Sequence, residues 1–254
     1  MNVHLIYFSP TGTTQTVLRG MFDAERYHAA LSEYDLTNME CAGTQLALSA
    51  DDLAIFGFPV YGGRVPKAAL ERLRNIKGEN TPAVLIATYG NRDYDDALLE
   101  CADVLVPKGF RVFAAAAVVT EHSIVRAIAS GRPNEADWAV LRGFADQIMA
   151  KDRRDEAPVT LKGNRPYRVY QGVPLKPKGS GRCNQCGTCA KLCPVGAIAT
   201  DTPRRTNREL CISCMRCIKY CPQHARGISK LEQSMAHRML ADKCKEEKES
   251  TLFL

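Results

Sequence analysis

The segment Val3–Phe22 runs VHLIYFSPTGTTQTVLRGMF and contains an apolar run, a hydroxyl-rich loop and an amphipathic stretch, in that order. The apolar run Val3–Phe8 predicts a buried strand, and the spacing of apolar residues over Thr13–Phe22 predicts a helix. Between them, residues 9–14 read SPTGTT. Hydroxyls, a glycine and the free amides of a helix start together form an anion site. The loop lacks both the Walker pattern and the dinucleotide pattern Gly-x-Gly-x-x-Gly, so it predicts a site for a monophosphate.

The rest of the first 150 residues repeats this alternation of short apolar runs and amphipathic stretches. Short buried strands separated by helices indicate a parallel sheet covered on both faces. Five strands at this spacing fit the doubly wound order 2-1-3-4-5 of an α/β protein. The predicted strands are Val3–Phe8, Tyr27–Tyr34, Leu53–Phe58, Ala83–Thr88 and Arg111–Val119. The predicted helices are Thr13–Phe22, Pro66–Asn75, Tyr94–Val106 and Pro133–Ala150, and the spacing in the last one makes Trp138 a core residue.

Charge and cysteine are unevenly distributed along the 254 residues. Residues 1–150 hold 13 Lys+Arg and 18 Asp+Glu, a balance of −5, whereas residues 151–254 hold 21 and 10, a balance of +11. The basic half shows no aromatic interleaving, which disfavours nucleic acid as a partner. The chain has no apolar stretch of the roughly 18 to 20 residues that a membrane span needs. It also begins without the basic and small-residue features of a secretory signal.

The chain therefore divides into four parts. We expect an α/β domain over residues 1–150, an extended linker over 151–179 that begins with a solvated charge run, a small α+β domain over 180–230, and a helical tail over 231–254 with a frayed end. The prolines and glycines between Gly163 and Gly181 favour the linker. The tail helix has its apolar positions at Leu231, Met235, Met239 and Leu240.

Nine of the eleven cysteines lie beyond residue 180. Eight of them form two copies of Cys-x2-Cys-x2-Cys-x3-Cys-Pro, which begin at Cys183 and Cys211 and lie 28 residues apart. A zinc site needs four ligands per metal and commonly separates two close pairs by a longer loop. The pattern thus predicts a pair of iron–sulfur clusters, with a zinc ribbon or reduced thiols as the alternative. Among the others, Cys101 lies in an apolar helical pattern and is expected to be buried, and Cys41 and Cys244 carry no sign of activation.

Both copies resemble the motif of bacterial two-cluster ferredoxins. In that motif the first three cysteines hold one cluster and the fourth, before proline, ligates the other. The resemblance implies two 4Fe-4S clusters. Their ligands would be Cys183, Cys186, Cys189 and Cys221 for one cluster, and Cys211, Cys214, Cys217 and Cys193 for the other.

Two further loops follow the third and fourth predicted strands, PVYGGRVP at 59–66 and TYGNRDY at 88–94. In a 2-1-3-4-5 sheet the ends of strands 1, 3 and 4 are adjacent at the topological switch point. Hydroxyls for a phosphate, aromatic rings and close-approach glycines would therefore meet in one crevice, as FMN requires.

The loop at 9–14 matches the phosphate loop of flavodoxins, and residues 1 to about 150 resemble that family. The resemblance implies an FMN site in which Tyr61 and either Tyr89 or Tyr94 flank the ring and amides near Gly62 and Gly90 face its polar edge. The candidate residues are Ser9, Thr11, Gly12, Thr13, Thr14, Pro59, Val60, Tyr61, Gly62, Gly63, Tyr89, Gly90, Asn91 and Tyr94. Neither ring loop contains the tryptophan found in many flavodoxins. His122 follows the fifth strand at the same edge, where it would either contact the flavin or bond locally.

The whole chain resembles the flavodoxin–ferredoxin fusions called iron–sulfur flavoproteins. The resemblance implies an electron carrier that relays electrons between two 4Fe-4S clusters and FMN and works with redox partner proteins, in the cytoplasm of an organism living with little oxygen. Two alternatives remain, a flavin-dependent reductase of a small acceptor and an iron–sulfur redox sensor. With both clusters bound, the C-terminal part would carry about +7 opposite an acidic flavodoxin part, so the two should dock.

Overall fold

The computed structural model describes residues 2–151 and 156–254. Of the charge run predicted at the start of the linker, residues 152–155 lie outside the described residues. The strands are β1 Asn2–Tyr7, β2 Ala30–Asp35, β3 Leu46–Leu48, β4 Leu53–Pro59, β5 Ile76–Gly78, β6 Thr81–Tyr89, β7 Phe110–Val119, β8 Lys178–Gly179, β9 Arg226–Gly227 and β10 Thr251–Phe253. The helices are α1 Thr13–Met21, α2 Ala24–Tyr27, α3 Lys67–Arg72, α4 Ala97–Leu105, α5 Glu135–Ala150, α6 Thr188–Lys191, α7 Arg216–Lys219 and α8 Lys230–Ala241.

The central sheet has the predicted topology. Its order within the described residues is β10-β7-β6-β4-β1-β2, and every pair except β10–β7 is parallel. Counted along the chain, the five parallel strands follow the order 2-1-3-4-5, which confirms the flavodoxin-like doubly wound fold. One face packs against α1 and α5 through residues such as Leu18 and Leu141. The other packs against α3 and α4 through residues such as Ala69 and Leu98.

The second strand begins later than the sequence predicted. Residues 27–29 were expected to be part of it, but α2 occupies Ala24–Tyr27 and the strand begins at Ala30. The Asp23 side chain accepts a hydrogen bond from the backbone N–H of Arg26, which caps this short helix. A local capping interaction therefore overrides the apolar pattern that predicted an earlier strand.

Trp138 packs where α5 crosses α1. Its ring is partly buried against the core and covers Gly20, where a Cβ atom would clash with it. The side chain is thus part of the packing between two helices, as predicted, although it is not fully buried. Gly20 is required because it lets the helices approach closely.

The segment from residue 156 to Pro177 contains no helix or strand and runs across the α/β fold. Asp96 accepts hydrogen bonds from the backbone N–H groups of Asn164 at 2.7 Å and Arg168 at 2.6 Å. Asp103 pairs with the guanidinium of Arg165 at 2.5 Å. This part of the expected linker is therefore fixed to the fold by hydrogen bonds. Its expected last residues, Lys178 and Gly179, instead form β8, which pairs with β9. The boundaries of the domains stay a prediction.

The C-terminal tail returns to the sheet. Helix α8 begins at a capping box between Ser229 and Glu232 and leaves Leu231, Met235 and Met239 exposed. The end of the tail was expected to be frayed, but β10 pairs antiparallel with β7, with Leu252 opposite Ala116. This strand pairs with the backbone of β7 and covers an edge that β7 would otherwise leave unpaired. No helix among the described residues has the length and apolar character to cross a membrane.

Candidate functional site

The three predicted loops converge at the carboxyl ends of β1, β4 and β6. They line one cavity together with the loop after β7. The residues of this flavin-site cavity are Pro10, Thr11, Thr13, Thr14, Pro59, Val60, Tyr61, Thr88, Tyr89, Gly90, Thr120, Glu121, His122 and Ser123. Parallel strands place their carboxyl ends at one edge, so the topology itself brings these sequence-distant loops together.

Thr11 and Thr13 supply two hydroxyls to the loop at residues 9–14, which the sequence predicts to bind a phosphate. Their Oγ1 atoms lie 3.3 Å apart and both residues line the cavity. Gly12 stands between them with a φ of +75°, a conformation that favours glycine. A Cβ atom on Gly12 would lie 3.2 Å from the Tyr220 hydroxyl, so the loop is tightly packed on its outer side as well.

The hydroxyls of Ser9 and Thr14 make hydrogen bonds within the protein. The Ser9 hydroxyl accepts the backbone N–H of Gln15 at 3.1 Å, and the Thr14 hydroxyl lies 2.8 Å from that of Thr88. Both residues are buried. These contacts hold the loop in shape, and each hydroxyl keeps a further hydrogen-bonding position. That Ser9 and Thr14 complete a phosphate site stays a prediction.

The residues predicted to contact the ring that line the cavity are Pro59, Val60, Tyr61, Tyr89 and Gly90. Tyr170 covers the loop at Gly62, where a Cβ atom would clash with its ring. Gly62 also has a φ of +61°, so it is required on both counts. Tyr170 thus places an aromatic ring beside the loop at residues 59–66, which contains no tryptophan.

Six of the candidate residues are not among those that line this cavity, namely Ser9, Gly12, Gly62, Gly63, Asn91 and Tyr94. Asp95 packs against Gly63 so closely that a Cβ atom there would clash with its carboxylate. The Asn91 amide donates to the carbonyls of Cys244 and Glu246 in the tail. Tyr94 is buried in the core with its ring 5.7 Å from that of Tyr89 in an edge-on contact. Of the two alternatives for the ring, Tyr89 is the one that lines the cavity.

His122 makes the local bonds that were one of its two expected roles. Its Nδ1 accepts the backbone N–H groups of Ile124 at 3.1 Å and Val125 at 3.0 Å. The neutral ring therefore carries its proton on Nε2. The ring also packs over Gly90, where a Cβ atom would lie 2.5 Å from it. Burial lowers the pKa of His122 to about 4, so the side chain is uncharged at neutral pH.

Replacing His122 with asparagine should make the stability of the protein less sensitive to acid. The folded-state pKa lies near 4 and the ordinary value is 6.5, so protonation favours the unfolded chain as the pH falls from about 6.5 towards 4. Asparagine keeps an acceptor for the two amides and removes the titration. Urea midpoints of both proteins at pH 7 and pH 5 measure the effect. Equal losses in the two proteins would contradict it.

The residues of the flavin-site cavity fit FMN. The cavity combines two hydroxyls beside a helix start, which suit a phosphate, with two tyrosines and a tightly packed glycine, which suit a flat ring. In this arrangement Thr11 and Thr13 would hold the phosphate and Tyr61 and Tyr89 would contact the ring. The flavin would supply one- and two-electron chemistry.

The eight motif cysteines line two separate cavities. One contains Cys183, Cys186, Cys189 and Cys221, and the other contains Cys193, Cys211, Cys214 and Cys217. Each cavity thus combines three cysteines of one motif copy with the fourth cysteine of the other, the grouping that the resemblance implied. None of the eleven cysteines forms a disulfide. Burial raises the pKa of Cys214 to about 12, so binding of iron to this thiolate would release a proton.

The backbone around the two cavities repeats every 28 residues. Left-handed φ values recur at Gln185 and Ser213, at Gly187 and Met215, and at Gly196 and His224. The two fourth cysteines also match, because Cys193 accepts the N–H of Ala197 at 3.2 Å and Cys221 accepts the N–H of Ala225 at 3.3 Å. Such turns direct amides inward, where they stabilise negative charge. The loops therefore fit anionic iron–sulfur clusters.

Arg226 lies between the two cysteine cavities. Its side chain is buried, with Nη1 3.8 Å from the Cys189 sulfur, and it also interacts with the Cys217 thiol. Nη2 donates to the Pro177 carbonyl at 2.9 Å, and Nε has no hydrogen-bond partner among the described residues. A buried cation thus contacts one cysteine from each cavity.

The second cysteine cavity adjoins the flavin-site cavity. Burial raises the pKa of Tyr61 well above its usual value, and the neighbouring Cys214 and Cys211 act in the same direction. Arg216 lines the cysteine cavity, and its Nη1 donates to the Pro10 carbonyl of the phosphate loop at 2.9 Å. In the opposite direction, the buried Arg72 donates to the Pro194 carbonyl at 2.5 Å. Two buried arginines therefore join the parts of the chain that carry the two sites.

Sequence reasoning missed Tyr170, Arg216, Lys219 and Arg226. Alignment of the two motif copies would have indicated two of these residues, Arg216 and Arg226. Arg216 and Arg226 stand where the first copy has Thr188 and Ile198, so the repeat is broken by charge at these positions. Nothing in the local sequence marked Tyr170.

Comparison with known proteins identifies the C-terminal part. Residues 182–226 match the family described as a 4Fe-4S dicluster domain. No curated protein matches the chain. The flavodoxin of Streptococcus pneumoniae TIGR4 is 15% identical over 59% of this chain and 99% of its own, with a TM-score of 0.41. The two-electron-reduced flavodoxin of Megasphaera elsdenii is 17% identical over 57% and 98%, with a TM-score of 0.39. The rubredoxin oxygen:oxidoreductase of Desulfovibrio gigas is 16% identical over 58% of this chain and 35% of its own, with a TM-score of 0.40.

The chain joins a flavodoxin-like fold to a ferredoxin-type 4Fe-4S domain. The first part rests on the strand order 2-1-3-4-5 and the second on the dicluster match. The combination supports electron transfer that involves iron–sulfur and flavin.

Proposed function

We propose that this flavodoxin–ferredoxin fusion relays electrons between two 4Fe-4S clusters and FMN. The observation that carries the proposal is the position of Arg216, which lines the second cysteine cavity and donates at 2.9 Å to the carbonyl of Pro10, a residue that lines the flavin-site cavity. An electron on that cluster would be one side chain away from the flavin-site cavity. The first cysteine cavity connects to the second through Arg226, so the order of the relay is first cluster, second cluster, flavin.

Anaerobically purified protein tests the cofactors first. It should contain about eight iron and eight acid-labile sulfide per chain, from two clusters, and about one FMN. The clusters are then reduced by substoichiometric dithionite in a stopped-flow instrument, and the flavin bands are followed. If the flavin is reduced at the same rate as the clusters are reoxidised, the result supports the relay. Loaded protein whose clusters and flavin do not exchange electrons would contradict it.

Replacing Thr11 with alanine should weaken FMN binding about tenfold or more. A hydrogen bond to a charged group is worth roughly 1.5 to 3 kcal/mol. Riboflavin lacks the phosphate, so its affinity should be weak and should not change. Thr16→Ala is the matched control, because the Thr16 hydroxyl donates to the Gly12 carbonyl within the helix. Fluorescence titration of wild type and both variants with FMN and riboflavin measures the six affinities, and an unchanged FMN affinity in Thr11→Ala would refute the phosphate assignment.

A second candidate function is reduction of a small acceptor by the flavin. One observation favours it, a wide cavity of about 770 Å³ that Thr11 and Thr13 share with the flavin-site cavity. Arg126, Lys219 and Lys230 also line it, so an anionic acceptor would suit it best. Turnover of such an acceptor faster than by free FMN would favour the enzyme over the carrier.

A further inference from the structure

We propose that the 4Fe-4S domain completes the FMN site by supplying the positive charge that the phosphate loop lacks, through Lys219 directly and Arg216 indirectly. The inference rests on the proposed function, because it assumes that FMN binds at residues 9–14. It adds a binding residue from the other part of the chain, about 200 residues away in sequence.

The phosphate loop has no cation of its own. Residues 9–14 read SPTGTT, and the first 150 residues carry a balance of −5. A flavin phosphate brings close to two negative charges into this acidic part of the molecule. Hydroxyls and amides hydrogen-bond such a group but do not neutralise it.

Lys219 places an ammonium group at the phosphate loop. Its Nζ donates to the Thr11 carbonyl at 2.5 Å and lies 3.8 Å from the position of a Cβ atom on Gly12. Lys219 also lines the wide cavity that Thr11 and Thr13 share with the flavin-site cavity. The ammonium therefore contacts the backbone of Thr11, which carries one of the two hydroxyls assigned to the phosphate, and the exposed side chain is able to turn towards an anion.

Arg216 holds the loop from behind. Its buried guanidinium donates to the carbonyls of Ser9 at 3.4 Å and Pro10 at 2.9 Å, and to the Asn38 side chain at 3.2 Å. Because it bonds to loop carbonyls, Arg216 is a positioning residue that fixes the loop and adds a positive field. Its contact with the phosphate loop and its place in the second cysteine cavity couple the two sites.

The internal repeat supplies a matched control. Lys191 occupies in α6 the position that Lys219 occupies in α7, two residues after the third cysteine of its motif. It is exposed like Lys219. Lys191 lines neither of the two cavities that the phosphate loop borders. Lys191→Ala removes the same charge from the same local structure and should therefore leave the flavin affinity unchanged.

The test is titration of anaerobic, cluster-loaded, full-length protein with FMN and with riboflavin. Lys219→Ala should weaken FMN about tenfold, leave riboflavin within about twofold and flatten the salt dependence of FMN binding. Lys219→Arg should restore most of the FMN affinity, and Lys191→Ala should behave as wild type. Cluster absorbance reports that each variant is folded and loaded.

Two results would overturn the inference and leave the proposed function intact. The first is an FMN affinity unchanged in Lys219→Ala, and the second is an equal loss for FMN and riboflavin, which would mean a structural effect. Wild-type protein that binds neither flavin would instead refute the proposed function itself.

Discussion

Replacing Cys193 with alanine is expected to remove the cluster of the second cysteine motif and to leave the cluster of its own motif in place. Cys193 belongs to the first motif in sequence but lines the cavity of Cys211, Cys214 and Cys217. Without Cys193 only three thiolates remain for that cubane. The described residues that line the cavity include no further cysteine, histidine or carboxylate to replace it. Iron should therefore fall from about eight to about four per chain.

The reciprocal variant makes the assignment testable. Cys221→Ala should remove the other cluster, because Cys221 lines the cavity of Cys183, Cys186 and Cys189. Iron and sulfide analysis gives the count, and electron paramagnetic resonance of the reduced proteins distinguishes the surviving clusters. Cys101→Ser would not test the ligand assignment, because Cys101 is buried in the α/β core and lines neither cysteine cavity. If Cys193→Ala lost the first cluster only, crossed ligation would be wrong.

Replacing Arg226 with leucine should lower the reduction potentials of both clusters. The buried guanidinium lies 3.8 Å from the Cys189 sulfur and interacts with the Cys217 thiol, so it stabilises the added electron on either cluster. At an effective dielectric constant of about 20, a unit charge roughly 6 Å away is worth about 3 kcal/mol, or on the order of 100 mV for one electron. Potentiometric titration of the loaded protein measures the shift.

Two variants show whether charge or packing causes that shift. Arg226→Lys keeps the charge and should retain most of the potential. Arg204→Leu removes an exposed arginine that donates to the Cys183 carbonyl at 2.7 Å, and solvent should make its effect much smaller. Equal potentials in wild type and Arg226→Leu would show that the guanidinium has no electrostatic role.

The sequence by itself determined the features that depend on local pattern. Alternating apolar runs predicted the five parallel strands and their order, because a strand buried on both faces must be apolar along its length. Cysteine spacing predicted the 4Fe-4S domain, because short loops between thiols are what a cluster requires. The hydroxyls of Thr11 and Thr13 were found in the same way.

The tertiary structure decided which residues meet across the chain. Asn91 and Tyr94 belong to the loop at residues 88–94, but Asn91 bonds to the C-terminal tail and Tyr94 packs in the core. Tyr170 packs on the loop at residues 59–66, although nothing in its local sequence indicated this. Likewise, β10 pairs with β7, a strand far away in the sequence, and no local pattern indicated this pairing.

Lys191 and Lys219 show the physical reason most clearly. They have the same spacing from a cysteine motif and the same kind of short helix, so local sequence cannot tell them apart. The two lysines differ because the 4Fe-4S domain packs on the phosphate loop through only one of the two motif copies. The copy that contains Lys219 faces the loop, and the copy that contains Lys191 does not. Lys219 bonds to Thr11 because of that docking, which long-range contacts determine and local pattern does not.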